Sequence, residues 1–223
     1  MQLKTEMHVN DVASSCATKQ VHAPTHTHTN IQVQARAQAR APCVLPASLI
    51  ADLRTDHAGE TGAVMIYRGI LAATRDPGVR RFATQHLATE QGHLAAIEPL
   101  LAPAQRSRLL PAWRIAGWLT GALPALCGPR AVYATVEAVE TFVDHHYAQQ
   151  IRSIEQHDPA RSQAPLQTLR ALLQTCRDDE VAHRDEAAEL FAEAGHAPGV
   201  ALRVWVMLVG AGSRAAVKIC WYF

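Results

Sequence analysis

The chain has 223 residues, with 21 Lys and Arg against 20 Asp and Glu, and its net charge of +1 excludes a nucleic-acid binder driven by overall basicity. It is 48% hydrophobic but only 5% aromatic, rich in Ala and Leu and poor in β-branched runs, which favours helices over sheets. A chain of this length buries one sizeable core and leaves little room for two independent domains. The cysteines, Cys16, Cys43, Cys127, Cys176 and Cys220, are odd in number and widely spaced, without a CxxC. They suit neither a disulfide scaffold nor a thiolate zinc site, and point to a reducing compartment.

Residues 1–46 are polar and interrupted by Pro24, Pro42 and Pro46, the composition of a flexible tail, and residues 47–223 form the expected domain. Within the tail, His22, His26 and His28 alternate with threonine and read as a solvated segment rather than a metal trap. Residues 12–51 lack acids and carry Lys19, Arg36 and Arg40, as organellar transit peptides do, but without an amphipathic stripe. No secretory signal pattern is evident, and no run reaches the roughly 18 uninterrupted apolar residues of a spanning helix.

Helical text begins at Ser48. A first helix is expected over 48–74. Asp76-Pro77 then supplies an N-cap followed by a proline at the first helical position, opening a second helix that continues to about Glu98. Residues 109–128 are apolar but cut by Pro111, Arg114 and Pro124. A third long helix opens at Pro129 and closes at His157-Asp158-Pro159. A fourth runs over 165–194, stopped by Gly195, and an apolar helix over 200–221 carries Arg203, Arg214 and Lys218. Four long helices with two shorter apolar elements predict an all-α antiparallel bundle.

Three Glu-x-x-His tetrads occur, at Glu90/His93, Glu180/His183 and Glu193/His196. Residues three apart share a helix face, so each pair can address one ion. The third straddles Gly195 and reads as a helix end. The other two each follow a helix with its own inward glutamate: Glu60 shares a stripe with Leu53, Asp56, Ala63 and Tyr67, and Glu140 shares one with Val136, Val143 and Tyr147. The order Glu, Glu-x-x-His, Glu, Glu-x-x-His is the ligand set of a ferritin-like bundle holding two iron or manganese ions. Four carboxylates and two imidazoles neutralise most of the charge of two ferrous ions and leave coordination positions for oxygen. Buried acids without such a cation would be severely destabilising.

Asp179, Asp144 and His146 are candidates to support the ligands, with a surface role equally open for Asp144. Glu137 lies one turn before Glu140 and is the alternative ligand. Gly59 and Gly62 flank Glu60 and either allow close helix approach around the ions or serve ordinary packing.

The segment Leu53-Arg54-Thr55-Asp56-His57-Ala58-Gly59-Glu60, the tetrad at Glu90, the stretch from Val139-Glu140 to His145-His146-Tyr147, and Asp179-Glu180-Val181-Ala182-His183 closely resemble the demethoxyubiquinone hydroxylases of ubiquinone biosynthesis. The resemblance spans residues 48–223. It implies a membrane-associated di-iron monooxygenase that hydroxylates the demethoxyubiquinol ring with O2 as co-substrate. By position it implies Glu60, Glu90, His93, Glu140, Glu180 and His183 as ligands of two Fe ions, and Tyr147 and His146 as residues near the centre that serve electron or proton delivery. Its implied partners are a polyprenyl quinol and a membrane lipid surface, with a homo-oligomer and accessory proteins of the same pathway left open and no nucleic acid. The tail before Ser48 and the charge at Glu137 depart from the family pattern without removing a ligand.

No acid lies between Glu98 and Glu137 or after Glu193, whereas Arg106, Arg108, Arg114 and Arg130, then Arg203, Arg214 and Lys218, accompany the two apolar segments. That pattern suits an anionic leaflet, with Trp113 and Trp118 at the headgroup boundary. Alternatively these segments cover the bundle or form an oligomer contact. The expected location is peripheral, on the cytoplasmic face of a bacterial cell membrane or the matrix face of the mitochondrial inner membrane. A ferritin-like iron store or ferroxidase is the competing function, sharing the ligands but having no need of the apolar segments.

Overall fold

The computed structural model describes residues 45–195 and 199–223. These form α1 (Ala47–Ala73), α2 (Pro77–Ile97), α3 (Leu110–Cys127), α4 (Pro129–His157), α5 (Ala164–Glu193) and α6 (Val200–Cys220), with two 3-10 turns between α2 and α3 and no strand among the described residues. The expected tail, with its histidines, Cys16 and Cys43, lies outside the described residues except for Leu45 and Pro46.

The helix boundaries follow from local chemistry. Asp76 Oδ1 accepts from the Val79 N–H at 2.9 Å and Pro77 occupies the first turn of α2, as expected. Gly128, at φ 104°, turns the chain from α3 into Pro129 of α4, and Gly195, at φ 68°, lies just past α5. Glu193 is thus the last residue of α5, while His196 of the third tetrad lies outside the described residues.

The stretch expected to be cut by prolines is instead one continuous helix, α3, of 18 residues. Pro111 falls in its first turn, where the missing N–H has no helical acceptor to lose. Pro124 falls in its last turn, where little helix follows to be disrupted. Arg114 simply faces outward.

α3 lies tightly along α1. Gly117 and Gly121 of α3 meet the backbone carbonyls of Gly62 and Ile66, and Gly69 of α1 meets that of Trp118, so a Cβ at any of these three glycines would overlap an oxygen. Gly62 also faces the Trp113 ring. Gly62 therefore makes room for α3 rather than drawing helices together around ions, and Gly59 meets nothing and opens on a cavity.

The apolar core divides into two clusters. One gathers Ile70, Phe82, Val132 and Val136; the other gathers Leu53, Ile97, Ile154 and Leu173. Tyr67 belongs to the first and Tyr147 to the second, and a buried polar layer links them through these two hydroxyls.

Helix α6 is long and apolar enough to cross a bilayer by length and composition, with a mean hydropathy of 1.5. Its apolar run is not uninterrupted, because Arg203, Arg214 and Lys218 break it. Both its ends are nevertheless tied to the bundle. Trp205 Nε1 donates to Thr135 Oγ1 at 2.8 Å, and beyond its other end Trp221 Nε1 donates to Asp52 Oδ1 at 3.1 Å, with Arg54 Nη1 donating to the Trp221 carbonyl at 3.1 Å.

Candidate metal centre

The four inner helices α1, α2, α4 and α5 bring all six expected residues to one point. Two groups of donor atoms form, Glu60, Glu90, His93 and Glu180 in one and Glu90, Glu140, Glu180 and His183 in the other, each with its ligand atoms within 4.8 Å of one another. Glu90 and Glu180 are common to both. Each imidazole turns Nδ1 inward: His93 Nδ1 lies 3.2 Å from Glu180 Oε1, and His183 Nδ1 lies 3.1 Å from Glu90 Oε1.

The two halves of the centre repeat each other. Glu60 and Tyr67 on α1 match Glu140 and Tyr147 on α4 in spacing, and the tyrosines cross over. Tyr67 donates to Glu140 at 3.0 Å, and Tyr147 donates to Glu60. A seven-residue interval is two helical turns, so each glutamate and its tyrosine share a face.

Close as they are, most of these donor atoms are not satisfied by hydrogen bonds. Glu60 Oε2, both Glu90 oxygens, Glu180 Oε2 and Nδ1 of both histidines are buried and make no hydrogen bond among the described residues. Converging buried acceptors of this kind are strongly unfavourable unless cations satisfy them, and a mixed oxygen and nitrogen donor set suits such ions. These residues therefore fit a metal site.

Protonation reflects the crowding. Burial pushes the Glu60 carboxyl up to about 8 and lifts Glu140 well above the carboxylate range. Burial opposes ionisation of Glu90 as well, but the His183 and His93 rings override it and hold that carboxyl below its usual range. Burial resists charge on His93 and His183, yet the carboxylates around them raise both well above the ordinary imidazole value. Cations would take the place of these protons.

Asp179 accepts a 3.0 Å contact from His93 Nε2, on the side away from the cluster. Asp144 does not touch the centre: it is buried, not at the surface, and holds Arg177 at 2.7 Å and Arg184 at 2.8 Å. Glu137 is turned away from the cluster into a groove with Arg203 and Arg214 of α6, so Glu140 is the glutamate that joins the others. His146 contacts Asp56 Oδ1 at 3.2 Å, Thr55 Oγ1 at 3.0 Å and Gln150 Nε2 at 2.9 Å.

His86 and Glu186 escaped the sequence reading. His86 is 2% exposed, pairs with Glu186 at 3.0 Å and sets its ring edge-on against His183 with centroids 4.0 Å apart. The signal was available: His86 precedes Glu90 by four residues and His93 by seven, on the same face of α2.

A cavity of about 470 Å³ runs between α3 and α6 to this cluster. Trp113, Ala116, Leu208 and Val217 form part of its walls, and Glu60, Glu140, Glu180, His146 and Tyr147 lie at its inner end. Trp113 thus faces the cavity and only Trp118 of the expected boundary pair is exposed. Among the basic residues, Arg106 is bound to Glu98 at 2.6 Å and Arg130 stacks on Phe191, which leaves Arg108, Arg114, Arg203, Arg214 and Lys218 exposed beside the apolar helices.

Residues 47–220 match the family described as Ubiquinone biosynthesis protein COQ7. The chain is 34% identical over 169 residues to the NADPH-dependent 3-demethoxyubiquinone 3-hydroxylase, mitochondrial, of Homo sapiens, covering 75% of this chain and 74% of that protein. It is 38% identical over 144 residues to the 3-demethoxyubiquinol 3-hydroxylase of Rhodospirillum rubrum, covering 63% of this chain and 64% of the relative. The 5-demethoxyubiquinone hydroxylase, mitochondrial, of Saccharomyces cerevisiae is 33% identical over 147 residues, covering 60% and 63%.

Proposed function

The chain belongs to the family described as Ubiquinone biosynthesis protein COQ7, and from that premise we propose that it hydroxylates the ring of demethoxyubiquinol as an O2-dependent di-iron monooxygenase at a membrane surface. The observation that carries this reading is the apolar cavity that ends on the carboxylate cluster. A prenylated ring needs an apolar path for its chain and a reactive centre at the end of it.

Glu60, Glu90, His93, Glu140, Glu180 and His183 would hold two iron ions, with Glu60 and His93 belonging to one donor group, Glu140 and His183 to the other, and Glu90 and Glu180 to both. Bound there, the iron pair supplies the activation of dioxygen. The protein's own part is positioning and proton control. The walls of α3 and α6 exclude water and hold the prenyl chain, so that the ring alone meets the polar end of the cavity. Tyr147, whose hydroxyl is given to Glu60, holds a proton beside the ring position. His146, bonded to Asp56 and Gln150 on the cavity wall, can take up or return a ring hydroxyl proton.

Ile115, Leu119 and Leu123 on α3 and Val204, Met207 and Leu208 on α6 are exposed apolar side chains. With Arg108, Arg114, Arg203 and Arg214 nearby, they make a surface suited to an anionic leaflet, from which the quinol enters. A ferritin-like iron store would call for a polar route for hydrated iron, whereas this cavity is walled by apolar side chains.

The test is to supply the iron-loaded protein with a short-chain demethoxyubiquinol, a reductant and isotopically labelled dioxygen. Mass spectrometry should find one labelled oxygen in the ring. Iron oxidation without a ring product would favour the iron store.

A further inference from the structure

The two metal positions look alike in their carboxylates and differ in their imidazoles. Each donor group has one glutamate of its own gripped by a tyrosine from the opposite helix, Glu60 by Tyr147 and Glu140 by Tyr67, and both share Glu90 and Glu180. His93 is fully buried, and its outward Nε2 is anchored on Asp179 Oδ2 at 3.0 Å. His183 has no such anchor: among the described residues no polar group is hydrogen-bonded to its Nε2, and its ring rests edge-on against His86 instead.

The sequence explains the asymmetry. Asp179 immediately precedes Glu180 on α5 and reaches across to the histidine of α2. The residue that immediately precedes Glu90 on α2 is Thr89, which carries no carboxylate to reach back to α5. The place beside His183 is taken by His86, whose own Nε2 is committed to Glu186 at 3.0 Å.

A carboxylate behind a ligating imidazole fixes the ring and raises its basicity, and its loss typically lowers metal affinity by about 10–100-fold. We infer that the two metal positions are inequivalent: the one completed by His93 fills first and holds its ion more tightly, and the one completed by His183 fills last and empties first. This inference rests on the two-metal reading above.

The experiment is calorimetric titration of the metal-free, full-length protein with Mn(II), paired with electron paramagnetic resonance to follow isolated and coupled ions. Two steps are expected, the first giving an isolated Mn(II) signal and the second converting it to a coupled pair. Asp179→Asn should weaken the tight step by about 10–100-fold and draw the two steps together. His183→Ala should remove the weak step and keep the tight one, and His93→Ala should do the reverse, each with helicity preserved. Two steps of equal affinity, or loss of the tight step in His183→Ala, would overturn the inequivalence while leaving the two-metal reading standing. Uptake of fewer than two ions by the unmodified protein would overturn both.

Discussion

Tyr67 on α1 donates a 3.0 Å hydrogen bond to Glu140 Oε1 on α4, across the middle of the bundle. Tyr147 on α4 returns the same contact to Glu60 on α1. Each carboxylate is therefore held by the helix opposite its own, and removing either hydroxyl leaves a buried acceptor unsatisfied. Tyr67→Phe and Tyr147→Phe should each lower unfolding stability by about 1–3 kcal/mol, read from urea denaturation of the metal-free protein. Only Tyr147 lines the cavity, so Tyr147→Phe should also slow ring hydroxylation more than Tyr67→Phe does. Equal effects of the two changes on hydroxylation would remove Tyr147 from the reaction.

The crowded carboxylates make the metal-free fold sensitive to pH. Burial holds the Glu60 carboxyl at about 8, against 4.5 in an unfolded chain, and raises Glu140 as well. The carboxylates around His93 and His183 raise those two imidazoles despite burial. All four groups bind protons more tightly in the folded state, so stability falls as pH rises through the folded values. His86, which burial lowers from 6.5, has the opposite sign but acts at more acid pH. Between about pH 6.5 and 8 the urea midpoint of the metal-free protein should therefore drop, while that of the metal-loaded protein should not. Parallel curves would mean that these side chains do not share buried charge.

The α1–α3 contact depends on glycine at particular places. Gly121→Ala would drive a methyl group into the Ile66 carbonyl and should destabilise the fold by about 1–3 kcal/mol or more, seen as a lowered Tm. Gly59→Ala meets nothing and should be neutral or slightly stabilising. The reverse order would show that α3 is not seated as described.

Much of this was legible in the sequence because helical spacing is a strict rule. Glu90 and His93, and Glu180 and His183, lie three apart in long helices, so their faces were readable at once, as were the capped start at Asp76 and the turn into Pro129. Other features depended on tertiary placement. Glu137 and Glu140 differ by less than a quarter turn on α4, and only the position of α6 turns one outward and leaves the other at the centre. Pro111 and Pro124 read as breaks because each was weighed without its place in the helix; near the ends of α3 neither interrupts it. The pairing of Asp144 with two arginines was hidden because it forms only once α4 and α5 pack, and that of Arg106 with Glu98 because it depends on how the two 3-10 turns fold the α2–α3 connection. His86 was legible by spacing, yet a lone histidine carries no motif.

The membrane surface can be tested through the exposed cations. Replacing Arg108, Arg114, Arg203 and Arg214 with Gln should weaken sedimentation with anionic vesicles, each contributing up to about 1 kcal/mol. Turnover of a long-chain quinol should slow, while that of a short, water-soluble analogue should hold. Arg106→Gln, which breaks the ion pair with Glu98, should act through stability instead. Equal losses with both substrates would place the four arginines in the bundle's own architecture.

Glu180 belongs to both donor groups, whereas Glu137 belongs to neither. The most direct measurement is therefore the iron content and ring hydroxylation of the Glu180→Ala and Glu137→Gln proteins beside the unmodified chain. The account predicts two iron ions and full activity in the unmodified chain and in Glu137→Gln, with both ions and hydroxylation lost in Glu180→Ala at unchanged helicity. Full iron occupancy in Glu180→Ala, or ring hydroxylation by iron-free protein, would contradict it.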